Sequence, residues 1–113
     1  MSRITFRTDD NKLVIADPEY DICLYYAPRN PPNTGTKYTR GIDYYVHKAR
    51  SGKLYFYAYS WSMWQGDYCR YILIPENEAK NDLQTIIGRE HDLSENEIKR
   101  CLKIWPDFLE ETA

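Results

Sequence analysis

The chain has 113 residues, 42% of them hydrophobic and 28% charged, with a formal net charge of −2. That length suits one domain with its own core. The near-neutral charge supplies no long-range field toward DNA or an anionic membrane, and no apolar run approaches the ~20 residues of a membrane span. The cysteines, Cys23, Cys69 and Cys101, are odd in number and lack C-x-x-C spacing, which argues against a disulfide framework or a zinc ribbon. With an N-terminal MSRITFRTDD that lacks an apolar signal segment, they imply a reducing, cytoplasmic location.

In chain order, residues 3–7 alternate, with Ile4 and Phe6 on one side. Thr8-Asp9-Asp10-Asn11 reads as a turn and Leu13 to Ala16 as the return strand. Asp17-Pro18-Glu19 breaks the chain, and residues 20–27 alternate again, sending Ile22, Leu24 and Tyr26 one way and Asp21, Cys23 and Tyr25 the other. Residues 28–40, PRNPPNTGTKYTR, hold three prolines, a glycine and two asparagines, the composition of a long loop. Its P-x-x-P reads as a connector rather than a docking motif. Residues 41–50 and 54–61 are strands joined by Ser51-Gly52-Lys53, with the glycine at the left-handed position. After Gln65-Gly66, residues 67–74 form a further, antiparallel strand.

The C-terminal third is helical in pattern. Pro75 and the acidic residues after it suit a first turn; Ala79, Leu83, Ile86 and Ile87 share a face, and Gly88 is a natural stop. Ser94 and Glu97 have capping-box spacing, with Leu93 and Ile98 placed as a hydrophobic staple. Ile98, Cys101, Leu102 and Trp105 form one stripe that Pro106 ends. The expectation is a single α+β domain over residues 1–113. Residues 1–74 form an antiparallel sheet of five or six short strands, and residues 75–113 supply two amphipathic helices packed on one face of it.

Charge is unevenly spread. Residues 28–53 carry six basic side chains and one acidic, while residues 76–113 carry five basic and ten acidic, so the middle is basic and the tail acidic. The acidic tail reads first as a solvated helix face interleaved with Lys80, Arg89, Lys99, Arg100 and Lys103. Between the two lies Leu54 to Tyr68, with seven aromatic rings in fifteen residues. Alternation puts Leu54, Phe56, Ala58 and Ser60 on one face and Tyr55, Tyr57, Tyr59 and Trp61 on the other. In the preceding strand Asp43, Tyr45 and His47 share the tyrosine side. A sheet with helices on one side leaves that side open.

No recognised catalytic signature accompanies these rings. There is no glycine-rich phosphate loop, G-x-S-x-G or H-E-x-x-H. His47 with Cys69, or His91 with Cys101, lacks a local motif for nucleophilic catalysis, and Asp43 and His47 lie roughly 13 Å apart along a strand, too far for one ion. The expectation is a non-enzyme with no cofactor and no metal. It is a small regulator or inhibitor that binds another protein, or a second copy of itself, through an aromatic sheet face. The contact residues are Tyr45, His47, Tyr55, Tyr57, Tyr59, Trp61 and Trp64, with Lys48, Arg50, Lys53 and Arg70 as a charged rim. The alternative is single-stranded nucleic acid, held by the same rings and the basic 28–53 segment.

Overall fold

The computed structural model describes residues 3–29, 40–63, 69–89 and 92–109. Among them, six strands precede two helices: β1 (Ile4–Arg7), β2 (Leu13–Ala16), β3 (Ile22–Tyr25), β4 (Arg40–Lys48), β5 (Leu54–Ser62), β6 (Arg70–Ile74), α1 (Glu76–Ile86) and α2 (Glu95–Ile104). The strands form two antiparallel sheets, a β1–β2 hairpin and a four-stranded sheet in the order β3-β4-β5-β6. The single sheet of five or six strands expected from the sequence is thereby corrected. The backbones of β1 and β2 pair only with each other, from Ile4↔Ala16 to Arg7↔Leu13, and the hairpin lies against a face of the larger sheet rather than along its edge.

Local chemistry sets the turns. Asn11 adopts φ +66° in the β1–β2 turn, a conformation asparagine tolerates. The Thr8 hydroxyl receives the Lys12 N–H at 2.9 Å and donates to the Asp10 carboxylate. Gly52, at φ +90°, closes β4 onto β5, whose register runs unbroken from Arg40↔Ser62 to Lys48↔Leu54. Ser94 caps α2 by accepting the Glu97 N–H at 3.2 Å, and its own N–H returns to the Glu97 carboxylate at 2.8 Å.

The helices cover one face of the large sheet. Leu24, Tyr44, Val46, Phe56 and Ala58 meet Ala79 and Leu83 of α1, Cys101 of α2, and Trp105 and Phe108 beyond it. The Phe56 and Trp105 rings stack with centroids 5.3 Å apart. Polar ties cross the same layer: the Tyr44 hydroxyl donates to Asp82 of α1 at 3.1 Å and the Trp105 indole N–H to Glu76 at 3.1 Å. α2 also closes the β3 edge. The second oxygen of Glu97 accepts the Tyr26 N–H at 2.8 Å, and Arg100 donates to the Cys23 carbonyl at 2.9 Å.

The opposite face, expected to be open, carries a second core. Phe6, Val14 and Ala16 of the hairpin cover Tyr45 and Tyr57. Tyr57 is 0% exposed, stacked on Tyr45 at 5.2 Å and tilted against Phe6 at 5.4 Å. Its hydroxyl donates to Asp21 at 2.7 Å, so the one polar atom of the ring is satisfied at the layer's margin. The sheet is therefore the middle of three layers. Tyr57→Ala should cost about 3–5 kcal/mol, in the range of buried aromatic truncations. Tyr57→Phe, which loses only the bond to a carboxylate, should cost about 1.5–3 kcal/mol. Midpoints of urea unfolding would rank the two; equal midpoints would mean that the ring fills no core.

Candidate functional site

The tyrosine face divides into a covered centre and two ends. Tyr45 and Tyr57 form the centre beneath the hairpin, and burial is the leading cause holding both phenols protonated well above the usual tyrosine range. At one end Tyr59 stacks on Tyr71 of β6 with centroids 4.3 Å apart. Burial, and then a hydrogen bond with Cys69, pushes its pKa up to about 12.

Trp61, also at that end, is buried in a polar cluster. Its indole N–H donates to Asp43 at 3.1 Å, and the same carboxylate oxygen accepts the Ala27 N–H at 2.9 Å. Asp43 is 0% exposed. Its other oxygen is paired with Arg29, whose guanidinium lies between two rings, 3.9 Å from the Tyr26 centroid and 4.2 Å from that of Trp61. The Trp61 ring passes over Gly41, where a Cβ would fall 2.6 Å from the ring. This arrangement spends Trp61 on the fold. A buried carboxylate is tolerated because a cation and two N–H groups neutralise it.

The other end is open, and here the predicted residues converge. His47 and Tyr55 are cross-strand partners on β4 and β5. Asp21 holds His47 by accepting from Nδ1 at 2.9 Å. A carboxylate only accepts, so Nδ1 carries the proton and Nε2 is the nitrogen left over. Asp21 is fully engaged, since it also receives the Tyr57 hydroxyl and the Asp17 N–H. A cleft of about 480 Å³ opens between β2 and the β4–β5 turn, lined by Lys12, His47, Lys48, Arg50 and Tyr55. A second, of about 430 Å³, opens on the other side of Tyr55 and includes Arg7, Lys53, Asp9 and Glu76. Both fall in the size range of small-ligand sites. Tyr55 forms the wall between them, with the Lys53 ammonium 5.1 Å from its ring centroid.

Among the described residues, the lining of the first cleft has three cations and no carboxylate. Lys12 has an exposed partner, Asp10 at 3.5 Å, a pair that solvent leaves weak. Among the described residues, Lys48, Arg50 and Lys53 have no ion-pair partner. Also among the described residues, no group of His, Cys, Asp or Glu is placed to hold a metal ion, and no helix is long and apolar enough to cross a membrane. Cys23 and Cys101 are protonated thiols, pushed up by burial to about 11 and about 12.

The structure thus brings together His47, Lys48, Arg50, Lys53 and Tyr55. Tyr45, Tyr57 and Trp61 lie in the interior, so the continuous open row expected from alternation is corrected: the hairpin covers its centre and Arg29 its far end. Tyr59 is half-buried and Arg70 exposed at that far end, opposite Ser60. Trp64 and His91, and residues 30–39 of the expected 28–40 loop, lie outside the described residues. Arg7, Lys12 and Asp21 were missed. They reach the site by tertiary packing, and only the alternating apolar residues of the hairpin hinted that one of its faces would be buried. Comparisons with protein-family models, with curated proteins and with solved structures each find no match.

Two outcomes test this assignment of roles. Asp43→Ala leaves the Arg29 cation and two N–H groups unpaired and should destabilise by about 3–5 kcal/mol, whereas Arg70→Ala at the exposed rim should stay within about 0.5 kcal/mol; urea midpoints measure both. The raised phenol pKa values also carry a sign. Unfolded tyrosines ionise near pH 10 while Tyr45, Tyr57 and Tyr59 hold their protons, so the folded state binds more protons and loses stability as pH rises above about 10. Urea unfolding across that range should show the midpoint falling as pH rises.

Proposed function

We propose that the protein is a small non-enzymatic binding module for single-stranded nucleic acid, and that it uses the end of the molecule where the β1–β2 and β4–β5 turns meet. The observation that carries this reading is the pair of clefts sharing Tyr55, with Arg7, Lys12, Lys48, Arg50 and Lys53 around them. A half-buried ring between two openings offers a stacking surface to an unpaired base, and the cations stand where flanking phosphates would run. His47, steadied by Asp21, adds Nε2 as an acceptor for the edge of a base. The net charge of −2 is no obstacle, because ten of the seventeen acidic residues lie in the helical third; at this end stand Asp9 and Glu76 in the second cleft, Asp10 on Lys12 and Asp21 on His47.

A regulator or inhibitor that binds another protein is the second reading. It is favoured by Leu13 and Ile15 on the outer face of the hairpin, 54% and 51% exposed, beside the basic cleft. Fluorescence anisotropy with labelled single-stranded oligonucleotides separates the two. Nucleic-acid binding should weaken with added salt, by about 0.7 in log affinity per log salt for each phosphate held. Tyr55→Ala should weaken it roughly 5- to 150-fold, the loss of one stacked base, and Lys48→Ala should lower the salt slope. Arg70→Ala, at the far end, should change neither. No binding at low salt, or binding indifferent to Tyr55, would overturn the nucleic-acid reading and leave the protein-partner one.

A further inference from the structure

The two edges of the four-stranded sheet are finished differently. A bare strand edge presents a row of N–H and C=O groups that another strand can extend, and proteins guard such edges with bulges, charges or covering side chains. The β3 edge has such guards. Its register shifts between Cys23 and Tyr25, Glu97 takes the Tyr26 N–H, and Arg100 caps the Cys23 carbonyl.

The β6 edge has none of these. Its register with β5 runs without a bulge from Ser60↔Arg70 to Phe56↔Ile74. Its sequence, RYILI, contains no proline or lysine, and its one charge, Arg70, stands at the first position. Among the described residues no hydrogen bond reaches its outer side. α1 packs over β5, which leaves Ile72 38% exposed on the helix side.

We propose that β6 is the interface of a homodimer, in which two copies pair antiparallel about a two-fold axis at Ile72 and join their sheets into one of eight strands. The register follows from self-complementarity. With Ile72 facing its own counterpart, Tyr71 stands opposite Leu73 of the partner copy and Arg70 opposite Ile74 of the partner copy. Apolar then meets apolar at the centre, with Ile72 beside its twin on the helix side and Tyr71 beside Leu73 on the tyrosine side, and an Arg70–Ile74 pair flanks each end on the helix side. The pairing is also matched in charge. The two Arg70 side chains sit at opposite ends, roughly 13 Å apart along the strand direction. Each approaches the start of the partner's α1, where Glu76 and Glu78 are the acidic residues of the first turn. A two-fold pairing uses up both bare edges, so the assembly closes at two.

Sedimentation equilibrium over a wide concentration range tests the interface. The expected result is reversible association to twice the 13.5 kDa chain mass, lost in Ile72→Glu, which sets two carboxylates face to face while leaving the far-UV circular dichroism unchanged. A second variant guards against a folding artefact. Ile72→Cys should form an intermolecular disulfide across the axis under mild oxidation, above the background from exposed Cys69, and Ile15→Cys on the hairpin should not. A single-chain mass at every concentration, a dimer indifferent to Ile72→Glu, or growth beyond two copies would each overturn the proposal.

Discussion

The fold turns on one charge taken out of water. Asp43 sits in the middle of β4, beside β5, with no exposure, and an unpaired carboxylate there would cost several kcal/mol. Its neutralisation recruits groups from three residues in two other parts of the chain: the Ala27 N–H and the Arg29 guanidinium after β3, and the Trp61 indole of β5. Each has a structural consequence. The bond to Ala27 carries the chain after β3 alongside β4 beyond the regular ladder. The bond to Trp61 lays its ring across Gly41, the one residue there with room for it. The pairing with Arg29 draws the guanidinium between two aromatic faces, where its weakly hydrated planar surface is well suited to stack. Removing the carboxylate would release all three together, so this corner behaves as one unit rather than as separable contacts.

A second carboxylate plays a comparable part on the tyrosine side. Asp21 joins the β2–β3 turn to β4 and β5 by accepting from the Asp17 N–H, His47 and the Tyr57 hydroxyl. The buried Tyr57 ring brings its polar atom to the margin of the second core, and Asp21 meets it there. The same carboxylate orients His47 at the cleft. Stability of the tyrosine layer and readiness of the open end are therefore coupled through one side chain, and a change that disturbs the hairpin's cover will also disturb the histidine.

The elements were legible in the sequence because their signals are local. Ser94 and Glu97 cap α2, Gly52 closes the β4–β5 turn, and the alternation of Phe56 and Ala58 with the tyrosines separates the two faces of β5. What covers the tyrosine face was not legible. Alternation in the hairpin says that Phe6, Val14 and Ala16 share a face, but not what that face meets, and a tyrosine whose hydroxyl is satisfied at a core margin has the same sequence signature as an exposed one. Asp43 misled for a similar reason, because an acidic residue within a strand reads as solvent-facing until its partners are known. Lys48, Arg50 and Lys53 were legible as a group since one turn holds them. Arg7 and Lys12 join that group only through the packing of a separate hairpin.

With helices on one face and a hairpin on the other, the sheet retains few places where a partner can be met. Both cores use their aromatic rings against each other, and the β3 edge uses its backbone groups on α2. What is left is the margin: the strand ends, where turns project side chains past the covering layers, and the β6 edge, whose hydrogen-bonding groups no layer can cover. Turn residues at one end carry unpaired cations around a ring that spans two clefts, which suits a flexible anionic chain. The β6 edge carries almost no charge and a regular run of apolar side chains, which suits another strand. These two margins differ in chemistry, and they adjoin where Leu73, Ile74 and Glu76 line the second cleft beside Tyr55. Two copies joined at β6 would present their cationic ends on opposite sides of the axis, because the two-fold reverses the strand direction. A long single strand could then engage both ends, and the second contact would be strengthened by the effective concentration that the first supplies.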